Sequence, residues 1–188
     1  MARRRDPEKR KAILEAAVEE IADTGLSAAT AKIASRAGLA EGTLFTYFAT
    51  KDELLNELYV ELKSEVYTRV NADFPRKASL QQRAWHVWSA SLGWAIESPR
   101  RRKVSVQLNL SDVVTAETRE RTAEARESVD AMFAELEARE TLRGTPRGFG
   151  AATMAAMQEA TLDFVARHPR QRGTLMERGF ALFWRAVR

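Results

Sequence analysis

In the run Glu41-Gly42-Thr43-Leu44-Phe45-Thr46-Tyr47-Phe48, the apolar Leu44 and Phe48 are spaced i,i+4, which leaves Glu41, Gly42, Thr43, Thr46 and Tyr47 for the other side of a short helix. Such a helix suits the major groove of DNA, because its small N-terminal residues, Gly42 above all, let the backbone come close to base edges. Thr43 and Tyr47 carry hydroxyls for the sugar-phosphate backbone or for bases, and Lys51 carries a cation for a phosphate. Glu41 is an anion turned toward a polyanion. It serves either by favouring the helix N-terminus or by accepting a hydrogen bond from cytosine N4. An ordinary helical hairpin with a polar outer face has the same spacing.

A helix from Ala40 to Tyr47 is too short to persist alone in water, so its neighbours must carry it. Before it, a short helix through Ile33 stops at Ala37-Gly38, where glycine takes a positive φ without cost and Leu39 packs back. After it, Thr50-Lys51-Asp52-Glu53 is a capping box, with Thr50 bonding the Glu53 N–H and the Glu53 side chain reaching back. The long helix it opens carries Leu55, Leu58, Leu62, Val66 and Val70 and is expected to run to Pro75. Lys51 opposes the dipole of that helix, a conflict that a phosphate held by both would resolve; charge alone equally allows a solvated lysine. Upstream, Asp6-Pro7 predicts an N-cap and first helical residue for a helix ending at Thr24-Gly25, with Ile13, Ala17 and Ile21 beside Leu14, Val18 and Ala22 on its buried face. Arg3, Arg4 and Arg5 precede it as a basic arm for a narrow minor groove, or as a solvated tail.

The series Ile33-Ala34-x-x-Ala37-Gly38-Leu39-x-x-Gly42-Thr43-Leu44-Phe45-x-x-Phe48-x-x-Lys51-x-x-Leu54-Leu55 resembles the N-terminal DNA-binding domain of the TetR family of bacterial transcriptional regulators. The resemblance covers about the first quarter to third of the chain. It implies an all-helical homodimer in which three N-terminal helices bind an operator and a divergent C-terminal bundle senses a ligand. Lys51 matches the family's phosphate-contacting lysine. The chain departs from the pattern between Gly25 and Ile33, which is one residue short and lacks the usual threonine. Ser27 is expected to cap the second helix instead, leaving Thr30 and Lys32 on its first turns to meet phosphates. Ala40 replaces a serine, which removes a side-chain cap worth about 1 kcal/mol. Phe45 stands where tyrosine is common, so one phosphate-bonding hydroxyl is lost and Tyr47 is positioned to restore one. The expected DNA-contacting set is therefore Thr30, Lys32, Glu41, Gly42, Thr43, Phe45, Thr46, Tyr47 and Lys51.

The formal charge of +4 agrees with a polyanionic partner, and the absence of cysteine excludes disulfides and thiolate metal sites. No apolar run reaches membrane length and Met1-Ala2-Arg3 leads into no signal-peptide core, so a soluble cytoplasmic protein without membrane partner is expected. His86 and His168 are the only histidines, and the zinc-protease, P-loop and nucleophile-elbow motifs are missing. Neither an enzyme, nor a cofactor, nor a metal site is expected. A helical protein-interaction module is the alternative to a DNA-binding regulator.

Beyond Pro75, Ser79-Leu80-Gln81-Gln82 offers a second capping box, for a helix bearing Leu80, Trp85, Trp88, Leu92 and Ile96. Ser98-Pro99 starts a helix to about Asn109, whose Arg100-Arg101-Arg102-Lys103 run is read as a solvated face or a support for acidic neighbours rather than a second DNA patch. A helical stretch from about Thr115 to Leu142 is broken by Arg143-Gly144-Thr145-Pro146, and helices near Phe149 to Arg167 and Gln171 to Val187 follow. The fold class is all-α: a three-helix helix-turn-helix domain, residues 1–50, followed by a larger helical bundle for ligand binding and dimerisation, residues 51–188, with about nine helices in total. Trp88, Leu92, Met132, Phe133 and Met157 are candidates to line an effector cavity, although residues so spaced equally form plain core. The family resemblance implies a dimer interface on the last two helices, through Thr161, Leu175, Gly179, Leu182 and Phe183. Gly179 permits close helix approach, as it would inside one chain. The long helix starting at Thr50 is expected to couple effector occupancy to the DNA-binding end.

Overall fold

Asp6 starts the first helix by accepting a hydrogen bond from the Glu8 N–H at 3.0 Å, with Pro7 at the first helical position. The computed structural model describes residues 6–188, so the arm Arg3, Arg4 and Arg5 lies outside the described residues. Helix α1 (Pro7–Thr24) buries Ile13, Ala17 and Ile21 completely and stops at Gly25, whose φ of 81° suits glycine. Helix α2 (Thr30–Arg36) begins after Ala29 and has no side-chain cap. The expectation for Ser27 is thus corrected. The Ala28 N–H donates to the Gly25 carbonyl at 3.1 Å and Ala28 is buried, a tight turn that leaves Ser27 on the outside and delays the helix.

Helix α2 ends at Gly38 as expected. At φ 70°, Gly38 donates to the Ser35 carbonyl at 3.0 Å while Leu39 donates to Ala34 at 2.9 Å, so two orphan carbonyls are satisfied and the chain turns into α3 (Glu41–Tyr47). Helix α4 (Lys51–Asn71) opens with Thr50 accepting from the Glu53 N–H at 3.0 Å; the Glu53 carboxylate reaches back to the Ala49 N–H at 2.6 Å, one residue further than a standard box, beside the extended backbone of Phe48. It stops at Asn71 rather than Pro75. Asp73 is left-handed at φ 55°, and Phe74, preceding proline, is disfavoured in helical conformation.

The remaining helices are α5 (Leu80–Glu97), α6 (Pro99–Asn109), α7 (Ala116–Glu120), α8 (Ala123–Glu137), α9 (Phe149–Arg167) and α10 (Arg172–Val187). The chain is all-α, with no strand among the described residues. Ser79 and Gln82 make the reciprocal cap expected for α5, at 3.1 and 3.3 Å. The stretch 115–142 is not one helix. Thr115 caps α7, and the buried Thr122 donates its hydroxyl to the Arg119 carbonyl at 2.8 Å, a local bond that competes with the helix ladder and separates α7 from α8.

Two compact units form: residues up to Ser64 with Ser98–Thr122, and Glu65–Glu97 with Ala123–Arg188. In the first, α1 packs on α2 and α6, and α2 on α3. The cationic run on α6 serves α1, whose last turn has no basic residue: Arg100 pairs with Asp23 at 2.7 Å and Glu19 at 3.2 Å, and Lys103 donates to the Ala22 carbonyl at 2.6 Å. In the second, α9 packs on α10 and both pack on α5 around Trp88, which is 0% exposed, donates its indole N–H to the Met176 carbonyl at 3.0 Å and stacks on Phe183. His86 is a packed side chain, its Nε2 2.8 Å from the Val70 carbonyl and its ring edge-on to Phe74; His168 is exposed and stacks on Phe164.

Candidate nucleic-acid interface

Leu44 and Phe48 are 0% and 1% exposed and hold α3 on the first unit, which turns Glu41, Gly42, Phe45 and Thr46 to the outside. Thr30 and Lys32 stand on α2, and Lys51 on the first turn of α4. Thr30, Thr43, Tyr47 and Lys51 are half-buried, whereas Lys32 is exposed. The side chains of Lys32, Thr43 and Lys51 make no hydrogen bond or ion pair among the described residues, so two cations and one hydroxyl are available to a partner.

Four other residues of the expected set are engaged within the unit, through three hydrogen bonds. Thr30 donates its hydroxyl to a Glu41 carboxylate oxygen at 2.6 Å, tying the starts of α2 and α3 together. Thr46 donates back to the Gly42 carbonyl at 3.1 Å. The Tyr47 hydroxyl oxygen accepts from the Asp6 N–H at 3.1 Å, so this ring anchors the start of α1 as well as facing outward in part. Gly42 is the reverse case. A Cβ added there meets nothing within 4 Å and its φ is not in the positive region. Neither internal packing nor backbone geometry requires glycine at this helical position, where it is less stable than alanine.

Sequence reading missed the residues that brace this surface. Arg36 on α2 pairs with the buried Glu20 on α1 at 2.9 Å. Glu57 on α4 accepts from Arg121 and from Arg10, the latter at 2.6 Å, and the Arg10 guanidinium also lies 5.6 Å from the Phe48 ring centroid. The hydrogen bond from Arg121, reinforced by the charges of both arginines, holds the Glu57 carboxyl below the ordinary carboxylate range against partial burial. Asn56, 9% exposed, donates to the Val113 carbonyl at 2.8 Å and accepts from the Thr115 N–H at 3.1 Å, so the segment before α7 is fastened to α4. The one sequence signal for this was a polar residue between Leu55 and Leu58 on an otherwise buried stripe.

In the second unit, Trp88, Leu92 and Met132 are buried to 0–1% exposure, Phe133 is buried and Met157 half-buried. Phe133 borders a cavity of about 290 Å³ whose walls also include Asp130, Glu137 and Arg147. Of the residues expected at a dimer interface, Thr161, Gly179 and Phe183 face the chain's own core. A Cβ on Gly179 would lie 2.5 Å from Thr161 Oγ1 and 2.9 Å from Trp88 Cζ2. Leu175 is half-buried, and Leu182 is 59% exposed, as are Phe149 and Phe164 on α9 in large part. Among the described residues no group of side chains is suited to a metal ion, and no helix is long and apolar enough to cross a membrane.

Two short helices joined at a left-handed glycine, the second presenting its polar side outward, define a helix-turn-helix protein. Residues 13–58 match the bacterial regulatory proteins of the tetR family. The fatty acid metabolism regulator protein of Bacillus subtilis (strain 168) is 36% identical over 72 residues, which are 38% of this chain and 37% of that protein, so the match spans little more than a third of the relative. A solved structure assigned to the tetR family of transcription regulators, from Shewanella sp. PV-4, is 27% identical with a TM-score of 0.82 over 95% of this chain and 97% of its own. The regulator FadR of Bacillus subtilis, solved in complex with stearoyl-CoA, shares the fold at 20% identity and a TM-score of 0.69, covering 95% of this chain and 99% of that one. Residues 13–58 thus carry the DNA-binding-domain pattern of the tetR family of bacterial regulatory proteins, and the fold of the whole chain is that of the solved members it resembles.

Proposed function

We propose that the protein is a sequence-specific, DNA-binding transcriptional regulator: a homodimeric repressor released from a pseudo-palindromic operator by a small apolar or aromatic effector. The observation that carries this reading is the exposed face of α2, α3 and the start of α4, where the unpaired Lys32 and Lys51 flank a helix whose Gly42 leaves room for close approach. DNA contact is assigned to residues 1–50, and effector sensing and dimerisation to residues 51–188. The exposed Phe164 and Leu182 are the apolar groups through which α9 and α10 of two copies would pair. An effector with an apolar body would enter the core at Trp88, Leu92, Met132, Phe133 and Met157, and the likeness to a regulator solved with stearoyl-CoA makes acyl thioesters the first compounds to screen. Helix α4 contributes residues to both units and is the element on which such an effector would act. Gel-shift titration of genomic fragments at two salt concentrations tests the reading. A preferred fragment whose affinity falls steeply with salt is expected, together with twice the chain mass in sedimentation. The absence of any preferred fragment, or a monomer at micromolar concentration, refutes it.

A further inference from the structure

Base readout in the major groove draws on a small set of side chains: Arg or Lys for guanine, Asn or Gln for adenine, Asp or Glu for the cytosine amino group, Ser or Thr with less selectivity, and apolar groups for the thymine methyl. Helix α3, EGTLFTY, contains no Arg, Lys, Asn or Gln. Its one acid, Glu41, already accepts the Thr30 hydroxyl at 2.6 Å, which holds the carboxylate toward the start of α2. The Thr46 hydroxyl is committed to the Gly42 carbonyl at 3.1 Å. Thr43 keeps an uncommitted hydroxyl but is half-buried and can bond to more than one base, so it discriminates little; the most exposed large apolar side chain of α3 is Phe45, 41% exposed although its neighbours Leu44 and Phe48 are buried. Gly42, one turn before it on the same exposed side, leaves room for the helix to approach closely enough for the ring to reach a base edge.

We propose that Phe45 is a specificity-determining residue that reads the C5-methyl of a thymine in the operator, an apolar contact that supplies base preference on α3. The assignment rests on the operator-binding reading. Removing one methyl-sized apolar contact corresponds to about fourfold in affinity.

Operator sequences are first selected by the full-length protein from a random duplex pool. Each thymine of the recovered site is then replaced, one at a time, by deoxyuridine, which pairs identically and lacks only the methyl, and affinity is measured by fluorescence anisotropy at fixed salt. The wild-type protein is expected to lose about fourfold at one or two thymines. Phe45→Ala is expected to bind the parent site more weakly and to be indifferent to deoxyuridine there. Wild-type affinity unchanged at every substituted thymine overturns the proposal, as does a Phe45→Ala variant that keeps the full methyl dependence. Recovery of no preferred sequence would instead overturn operator binding itself, and the Phe45 assignment with it.

Discussion

Replacing Gly42 by alanine is expected to move stability and DNA affinity in opposite directions. In the free protein the new Cβ meets nothing within 4 Å and the backbone is not in the positive-φ region, so no strain or overlap opposes the change. Gly→Ala at a compatible position stabilises by about 0.4–1 kcal/mol, mainly by restricting the unfolded chain. For a chain of this size that corresponds to a rise in Tm of about 1–4 °C. Against DNA the same methyl would occupy the space through which the first turn of α3 is proposed to approach the bases. Overpacking an interface by this amount costs about 1–3 kcal/mol, or about 5- to 150-fold in affinity. Because no charge is removed, the slope of log affinity against log salt is expected to stay constant. Thermal denaturation of the free protein and anisotropy titrations at several salt concentrations read both quantities. A destabilised variant would show that Gly42 has an internal packing role, and a stabilised variant with unaltered affinity would show that this edge of α3 does not face DNA.

Lys51→Ala is expected to weaken all DNA sequences about equally and to lower the salt slope by roughly one counterion; loss of preference at a single base with an unchanged slope would contradict a phosphate contact. Gly179→Ala is expected to destabilise the protein by about 1–3 kcal/mol in denaturant titration, since the added Cβ lies 2.5 Å from Thr161 Oγ1 and 2.9 Å from Trp88 Cζ2; a neutral result would show that α10 shifts freely. Glu57, with its carboxyl held below its unfolded value by Arg121 and Arg10, contributes stability that is present above the ordinary carboxylate pKa and is lost as pH falls through the lower folded value. In Glu57→Gln that part of the acid-side decline should be absent from a stability profile measured across the acid range, and an unchanged profile would show that the pair carries no linkage.

The legible part of this chain was local chemistry. Asp6, Thr50 and Ser79 each bond a backbone group two or three residues away, and Gly25 and Gly38 answer a requirement of their own φ, so helix ends could be read from short windows. The buried side of α3 was legible for the same reason, since Leu44 and Phe48 are one turn apart. Ser27 escaped because its role depended on where Ala28 is buried, and the break at Thr122 because one hydroxyl competes with an otherwise strong helix pattern. Tertiary structure alone decided which polar groups are spent before any partner arrives. Thr30 finds Glu41 across 11 residues and Tyr47 finds Asp6 across 41, contacts that no short window of sequence contains. It likewise sent Arg100 and Lys103 to the end of α1, and set Gly179 against Thr161 and Trp88. Periodicity records which side of a helix is apolar; it holds no information about what distant group lies opposite, because that distance is set by how the helices pack.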